Sequence, residues 1–251
     1  MMHKQPKSNL LVYGLHPTLE ALHAHKSIDR ILFRKGLYGE RFQEIFQYVR
    51  EEGIPFQYVP NERLNRLTRG NHQGVICLIS PIQYEDITQI VPFLFENGRT
   101  PLLLYLDKVT DVRNLGAIAR TAVCAGVDAI LIPAKNTARI NEDAVKASSG
   151  ALHKIPICRH DNIPETLTYL KESGIEIVAC TEKAEAAYYG QSYDKPLCVV
   201  MGSEGEGISP AILELCDRSV RIPMTGEIES LNVSVATGIL LFEVFRQRSV
   251  E

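Results

Sequence analysis

PLLLYLDKVTDVRNLGAIAR, residues 101–120, holds the pattern that decides the fold. Pro101–Leu106 is an apolar run bounded by Pro and Asp, as expected of a parallel strand buried on both faces. A polar loop starts at Asp107. Beyond it Leu115, Ile118, Ala119 and Ala122 fall at helical spacing, which predicts a helix over Gly116–Ala125. Asn114 precedes that helix, where its side chain can accept from free backbone N–H groups. The same strand character returns at Ala129–Ile132 (AILI), Ile175–Cys180 (IEIVAC), Leu197–Met201 (LCVVM) and Val220–Met224 (VRIPM). Helical patterns fill the gaps at Asn141–Ser149, Ile163–Glu172 and Leu231–Gln247. Such alternation predicts an α/β domain whose parallel sheet is covered on both faces.

Upstream, Ile28–Arg34 (IDRILFR), Pro55–Val59 and Gly74–Ile79 read as strands. A helix over Glu40–Glu52 places Phe42, Ile45, Phe46 and Val49 on one face, and NERLNRL is a second helix. These elements predict a small α/β lobe over residues 9–80. Ser80–Tyr84 (SPIQY) marks a linker, and a capped helix follows over Asp86–Asn97, so residues 81–99 form a linker and helix before a domain over 100–251.

The chain has 251 residues, 45% of them hydrophobic and 23% charged, with a formal net charge of −3. That composition excludes a disordered or low-complexity chain. No apolar run approaches the ~20 residues of a membrane span, and MMHKQPKSN at the start lacks the apolar stretch of a secretory signal. The six cysteines lie apart with no C-x-x-C pair and read as small buried thiols, not a metal site or disulfide frame. A location in a reducing, cytoplasmic compartment is the expectation. Residues 1–80 carry eleven Lys+Arg against seven Asp+Glu, and the remainder is acidic. A basic front lobe is compatible with a phosphate-bearing partner or with ordinary solvated surface.

Ligands of such sheets bind in the loops after the strands. In the first loop, Arg120 lies on a helix otherwise lined by apolar residues and is either a solvated edge or a fixed anion contact. The second, Met201–Ser209 (MGSEGEGIS), has Gly202, Gly205 and Gly207 for tight turns and close backbone approach. Its order is G-x-x-G-x-G, neither the dinucleotide fingerprint nor a P-loop. Glu204 and Glu206 would repel a pyrophosphate and suit a cationic or donor-rich ligand. The third, Met224–Ser234 (MTGEIESLNVS), sets Ser230 and Asn232 at a helix start, as caps or as ligand contacts. The helix beyond is apolar nearly all round, from Val233 to Phe245, and requires a core or a subunit interface to bury it.

In order and content these loops resemble the three motifs of the SpoU (TrmH) family of RNA ribose 2′-O-methyltransferases. The likeness runs through Asn114, Gly116 and Arg120, through Gly202–Gly207, and through Ile222–Met224 with SLNVSVATG at Ser230–Gly238. YGLHPTLEAL and HQGVICLI resemble the ribosomal-protein-like, RNA-binding lobe of the family's rRNA members. The resemblance implies a SPOUT fold with a C-terminal trefoil knot, a homodimer, and S-adenosylmethionine as cofactor. It assigns the cofactor to Gly202, Ile222 and Leu231, with Thr181 and Met224 lining the pocket, and it implies no metal. It points to guanosine in large-subunit rRNA, free or in a pre-ribosomal particle, as substrate.

The family's usual catalytic group is the arginine at Arg120, with Asn114, Glu204, Ser230 and Asn232 orienting it, the cofactor and the ribose. Guanidinium stays protonated in nearly all protein settings, so the chemically conservative role for Arg120 is bidentate contact to a neighbouring phosphate. The rivals are a tRNA methyltransferase of the same family, a non-catalytic RNA-binding protein, and a nucleotide-dependent oxidoreductase. The last requires a glycine fingerprint after the first strand, where this chain has none. His16, His72, His153 and His160 have no mutual spacing that suggests a metal site or a triad.

Overall fold

A computed structural model describes residues 10–226 and 230–249, in two compact units, Met1–Gln83 and Tyr84–Glu251. The first nine residues, the last two, and Glu227, Ile228 and Glu229 of the third loop lie outside the described residues.

The first unit runs β1 (Leu11–Tyr13), α1 (Leu15–His23), β2 (Ile28–Arg34), α2 (Glu40–Glu51), β3 (Phe56–Val59), α3 (Asn61–Leu67) and β4 (Val75–Ile79). Its sheet has the order β1-β4-β2-β3, with only β2 and β3 parallel. Alternation along β2 sends Ile31 and Phe33 into one core with Ile45 and Val49 of α2, and Leu32 into another with Leu64 of α3. The predicted IDRILFR strand and NERLNRL helix fall on β2 and α3. Sequence reasoning did not identify β1 or α1.

The second unit runs α4 (Ile87–Glu96), β5 (Leu102–Leu106), α5 (Val112–Cys124), β6 (Ala129–Pro133), α6 (Glu142–Ala147), β7 (Ile157–His160), α7 (Ile163–Glu172), β8 (Glu176–Cys180), β9 (Leu197–Met201), α8 (Pro210–Leu213), β10 (Arg218–Val220) and α9 (Val233–Arg248). Six strands in the order β10-β8-β9-β5-β6-β7 pair in parallel throughout. The central β5 and β9 are buried along their whole length, as their unbroken apolar runs require. Among the described residues no helix is long and apolar enough to cross a membrane.

The structure differs from the sequence reading at α5, at β10 and at one cysteine, and it adds detail at α4 and α9. α5 begins at Val112, not Gly116, because Asp111 is the N-cap and accepts from the backbone N–H groups of Arg113 and Asn114. Asn114 therefore sits inside the first turn with its side chain free for another partner. The strand expected at Val220–Met224 is Arg218–Val220 instead: its start is pinned by Asp217, whose carboxylate accepts from Ile177 N, and Pro223 has no N–H to continue a ladder. α4 places Ile87 and Val91 in the core that β5 and β6 share. α9 buries one face only, through Val233, Thr237, Leu240, Leu241 and Val244. Of the cysteines expected to be buried, Cys124 is exposed.

Candidate functional site

The site forms where β5, β8 and β9 end. Asp107, the first polar residue after an all-apolar strand, is 4% exposed. Its Oδ2 accepts from Ser209 N at 2.7 Å, its Oδ1 accepts from Tyr105 Oη at 3.2 Å, and its own N–H donates to Met201 O at 2.8 Å. One buried residue, through its carboxylate to Ser209 and its backbone N–H to Met201, thus ties the end of β5 to both ends of the loop that follows β9.

That loop folds back on itself. Ser203 N donates to Gly207 O at 3.1 Å, and Gly207 N donates to Ser203 O at 3.0 Å. The return passes so close to Gly202 that a Cβ there would lie 2.2 Å from the Gly207 carbonyl carbon, so only glycine fits. Gly205, by contrast, has open space around it. The loop tip is held from two sides. Glu204 Oε1 accepts from Asn114 Nδ2 at 2.9 Å and from Val233 N at 3.4 Å, and also from Asn232 Nδ2. Asn232 Nδ2 also meets Asn114 Oδ1 at 3.0 Å. Asn232 caps α9 by accepting from Ser234 N. On the other side Lys108 Nζ lies 2.9 Å from Glu206 Oε2. This hydrogen bond and the charges behind it raise the lysine's pKa and lower that of the glutamate.

Two cavities share the loop as a wall. The first, about 290 Å³, is lined by Thr181, Gly202, Glu204, Ile222, Met224, Ser230 and Leu231, among others. The second, about 530 Å³, is lined by Lys108, Thr110, Asp111, Asn114, Asn136 and Ser203–Glu206. All five residues expected to meet a cofactor therefore face one cavity, although they come from three separate loops. Glu204 and Ser230 join them there, Asn114 faces the second cavity, and Asn232 reaches both through Glu204. Arg120 is not gathered in: it is exposed and lines neither cavity. Six residues along α5 carry it about 9 Å down the helix axis from Asn114 and to a different face.

The first cavity's chemistry fits a sulfonium nucleoside. Met201, Ile222, Leu231, Val233 and Ala236 offer apolar wall for a flat base, while Glu182, Glu204 and Glu206 outnumber the single Lys183. That imbalance favours a ligand with cationic groups and hydroxyls over a polyphosphate. Cys180 also lines it, but burial pushes its thiol up to about 11, so it stays protonated as part of the wall and is no nucleophile at neutral pH. Among the described residues no cluster of His, Cys, Asp or Glu could hold a metal. The sequence reading missed Asp107 and Lys108; the one available signal was an aspartate closing an otherwise apolar strand.

Comparison with known proteins agrees with this geometry. Residues 101–242 match the SpoU rRNA Methylase family, and residues 11–85 match the family described as RNA 2'-O ribose methyltransferase substrate binding. A Staphylococcus haemolyticus protein described as a TrmH-family tRNA/rRNA methyltransferase is 33% identical, covering 96% of both chains. The crystal structure of an AdoMet-bound rRNA methyltransferase from Sinorhizobium meliloti aligns with a TM-score of 0.61 at 27% identity, over 94% of this chain and 87% of that one. The A. aeolicus TrmH/SpoU tRNA modifying enzyme aligns with a TM-score of 0.55 at 34% identity, over 64% of this chain and 83% of that one. The chain belongs to the SpoU methylase family and is an RNA methyltransferase that uses S-adenosylmethionine.

Proposed function

We propose that this enzyme methylates the ribose 2′-hydroxyl of a guanosine in large-subunit rRNA, free or within a pre-ribosomal particle, in the cytoplasm. The observation that carries the reading is the Glu204 junction, which joins Asn114, Asn232 and the α9 backbone beside a cavity suited to a cationic nucleoside. The front unit supports rRNA as the target. Residues 9–80 serve as the RNA-binding lobe, 81–99 as the connection, and 100–251 as the catalytic domain, whose C-terminal segment we take to be knotted.

Bound in the first cavity, S-adenosylmethionine supplies an electrophilic methyl group on a sulfonium. Gly202, Ile222 and Leu231 hold it through backbone groups, with Thr181 and Met224 as walls. Glu204, Asn114, Asn232 and Ser230 keep that wall and the acceptor ribose in register, and alignment of this kind contributes several kcal/mol to a displacement reaction. Arg120 contacts the phosphate beside the target ribose and fixes the position of the 2′-hydroxyl relative to the methyl group. Because Arg120 lies outside its own chain's cavity, the reading includes a homodimer. Val235, Phe242 and Phe245 form an exposed apolar stripe on α9 that a second copy would cover.

A second reading, a tRNA 2′-O-methyltransferase, is favoured by the likeness of this chain, over 64% of its length, to the A. aeolicus tRNA modifying enzyme. Radiolabelled S-adenosylmethionine supplied with unmethylated large-subunit rRNA, beside a tRNA pool, separates them. Label in rRNA as an alkali-resistant dinucleotide is the expected result; label in tRNA alone overturns the substrate.

A further inference from the structure

We propose that the second cavity receives a ribose–phosphate stretch of the RNA, and that Lys108 then exchanges the Glu206 carboxylate for an RNA phosphate. The inference rests on the RNA-methyltransferase reading and adds to it a phosphate contact and a switchable tie on the loop between the two cavities.

Beside Val109 and Val233, the cavity is lined by Thr110, Asp111, Asn114, Asn136, Ser203 and Glu204, whose hydroxyl, amide and carboxylate groups match ribose hydroxyls. Lys108 is the only cationic side chain among the described lining residues, against the carboxylates of Asp111, Glu204 and Glu206. Asp111 and Glu204 are already engaged by N–H donors of α5, so the cavity suits a single phosphate at Lys108 with ribose hydroxyls elsewhere, not a polyphosphate. Arg113 and Lys135, each adjacent in sequence to a lining residue, are exposed. The backbone places Lys108 there at a cost. It has φ +54°, the left-handed region that a residue with a Cβ seldom adopts. This conformation lets Asp107 turn inward to Ser209 N while Lys108 reaches outward to Glu206.

The Lys108–Glu206 pair is poised for exchange. The side chains are 38% and 75% exposed, and exposed ion pairs contribute little net stability. An RNA phosphate offers Lys108 an anionic acceptor in place of the carboxylate, and its binding releases counterions from the RNA, a gain that the Glu206 pair does not provide. Glu206 sits on the shared wall, so its release frees one side of the loop while Glu204 still anchors the other. Acceptor binding in the second cavity thereby reaches the cofactor cavity without any group crossing between them.

The test measures binding of a short mixed-sequence single-stranded RNA by fluorescence anisotropy across a salt series, using the full chain and its Lys108→Ala, Lys108→Arg and Glu206→Gln variants. Lys108→Ala should weaken binding and flatten the slope of log K against log salt by about 0.7, the loss of one phosphate contact. Lys108→Arg should restore that slope. Glu206→Gln, which leaves Lys108 without a competitor, should tighten RNA binding by roughly three- to tenfold. S-adenosylmethionine affinity, read by calorimetry with and without the RNA, should change on RNA binding in the wild type and lose that response in Lys108→Ala, where the tie to Glu206 is already absent. If the pair is only a brace, both removals shift RNA affinity in the same direction and leave the slope unchanged. That result, with wild-type methyl transfer intact, overturns the exchange and spares the enzyme reading. Absence of methyl transfer to any RNA, with the slope change present, overturns the enzyme reading and spares the contact. A wild-type chain that binds no RNA overturns both.

Discussion

Asn114 Nδ2 donates to Glu204 Oε1 at 2.9 Å, linking two residues 90 positions apart in sequence. The bond joins the first turn of α5 to the tip of the loop after β9, and Asn232 adds the cap of α9 to the same oxygen. Three motifs separated along the chain meet on one carboxylate. An Asn114→Asp change sets a second carboxylate against it, where like charges at this distance repel. Methyl transfer should fall by roughly tenfold or more, and a compensating Glu204→Gln should recover most of it, because the new amide can then donate to the introduced carboxylate. Steady-state rates on the two single variants and the double variant check this; additive losses would show that the contact does not couple the loops.

Arg120→Ala should reduce turnover nearly to background while leaving S-adenosylmethionine affinity close to wild type, because Arg120 lines neither cavity. Lysine at the same place should rescue poorly, since a point charge lacks the bidentate fork. Turnover within a few-fold of wild type in Arg120→Ala would remove Arg120 from the reaction.

Gly202→Ala inserts a Cβ 2.2 Å from the Gly207 carbonyl carbon, so the loop must open. The expected cost is about 1–3 kcal/mol of stability with a matching loss of cofactor affinity. Gly205→Ala, with open space on every side, should be nearly silent. Thermal melts and calorimetry on both variants decide the matter, and equal effects would show that the return of the loop does not depend on Gly202.

These contrasts show what the sequence made legible. The apolar run at Leu102–Leu106 announced a central strand because burial on both faces forbids polar residues there. Gly202, Ile222, Met224 and Leu231, four of the five residues that line the first cavity as expected, stand at motif positions; Thr181 does not. The fold-back of residues 203–207 was not, because every participant is a backbone group. Nor was Asp111, rather than Asn114, legible as the cap: both residue types cap equally well, and only the tertiary demand of Glu204 on Asn114 separates them. The end of β10 before Met224 was legible in part, since Pro223 has no N–H to donate to a ladder; that β8 stops offering partners at Cys180 was not.

His160 ends β7, and burial lowers its pKa below 6.5 despite the opposing charges of Asp86 and Asp161. The unfolded chain then binds a proton near pH 6.5 that the folded chain refuses, so this group's contribution is present above that value and declines as pH falls through it. His160→Gln should flatten the dependence of Tm on pH between about 5 and 7 relative to wild type. Parallel melting series over that window check it; identical slopes would show that His160 takes up its proton equally in both states.

The exposed stripe on α9 gives the last test. Val235, Phe242 and Phe245 are 51%, 46% and 44% exposed, and the two phenylalanine rings pack edge to face at 5.9 Å. Apolar side chains seven and three residues apart lie on one helix face, opposite the buried face of Leu240, Leu241 and Val244. Water contact at this stripe is unfavourable unless another surface covers it. A second copy of the chain would also bring an Arg120 to the assembly from outside each cavity's own chain. Light scattering across a concentration series should therefore give twice the chain mass for wild type and a monomer for Phe242→Glu. The variant should keep its cofactor affinity if each first cavity is complete within one chain, yet lose most turnover if the partner's arginine is needed. A monomeric variant with full turnover would separate assembly from catalysis, and a monomeric wild type would leave the stripe without the partner assigned to it.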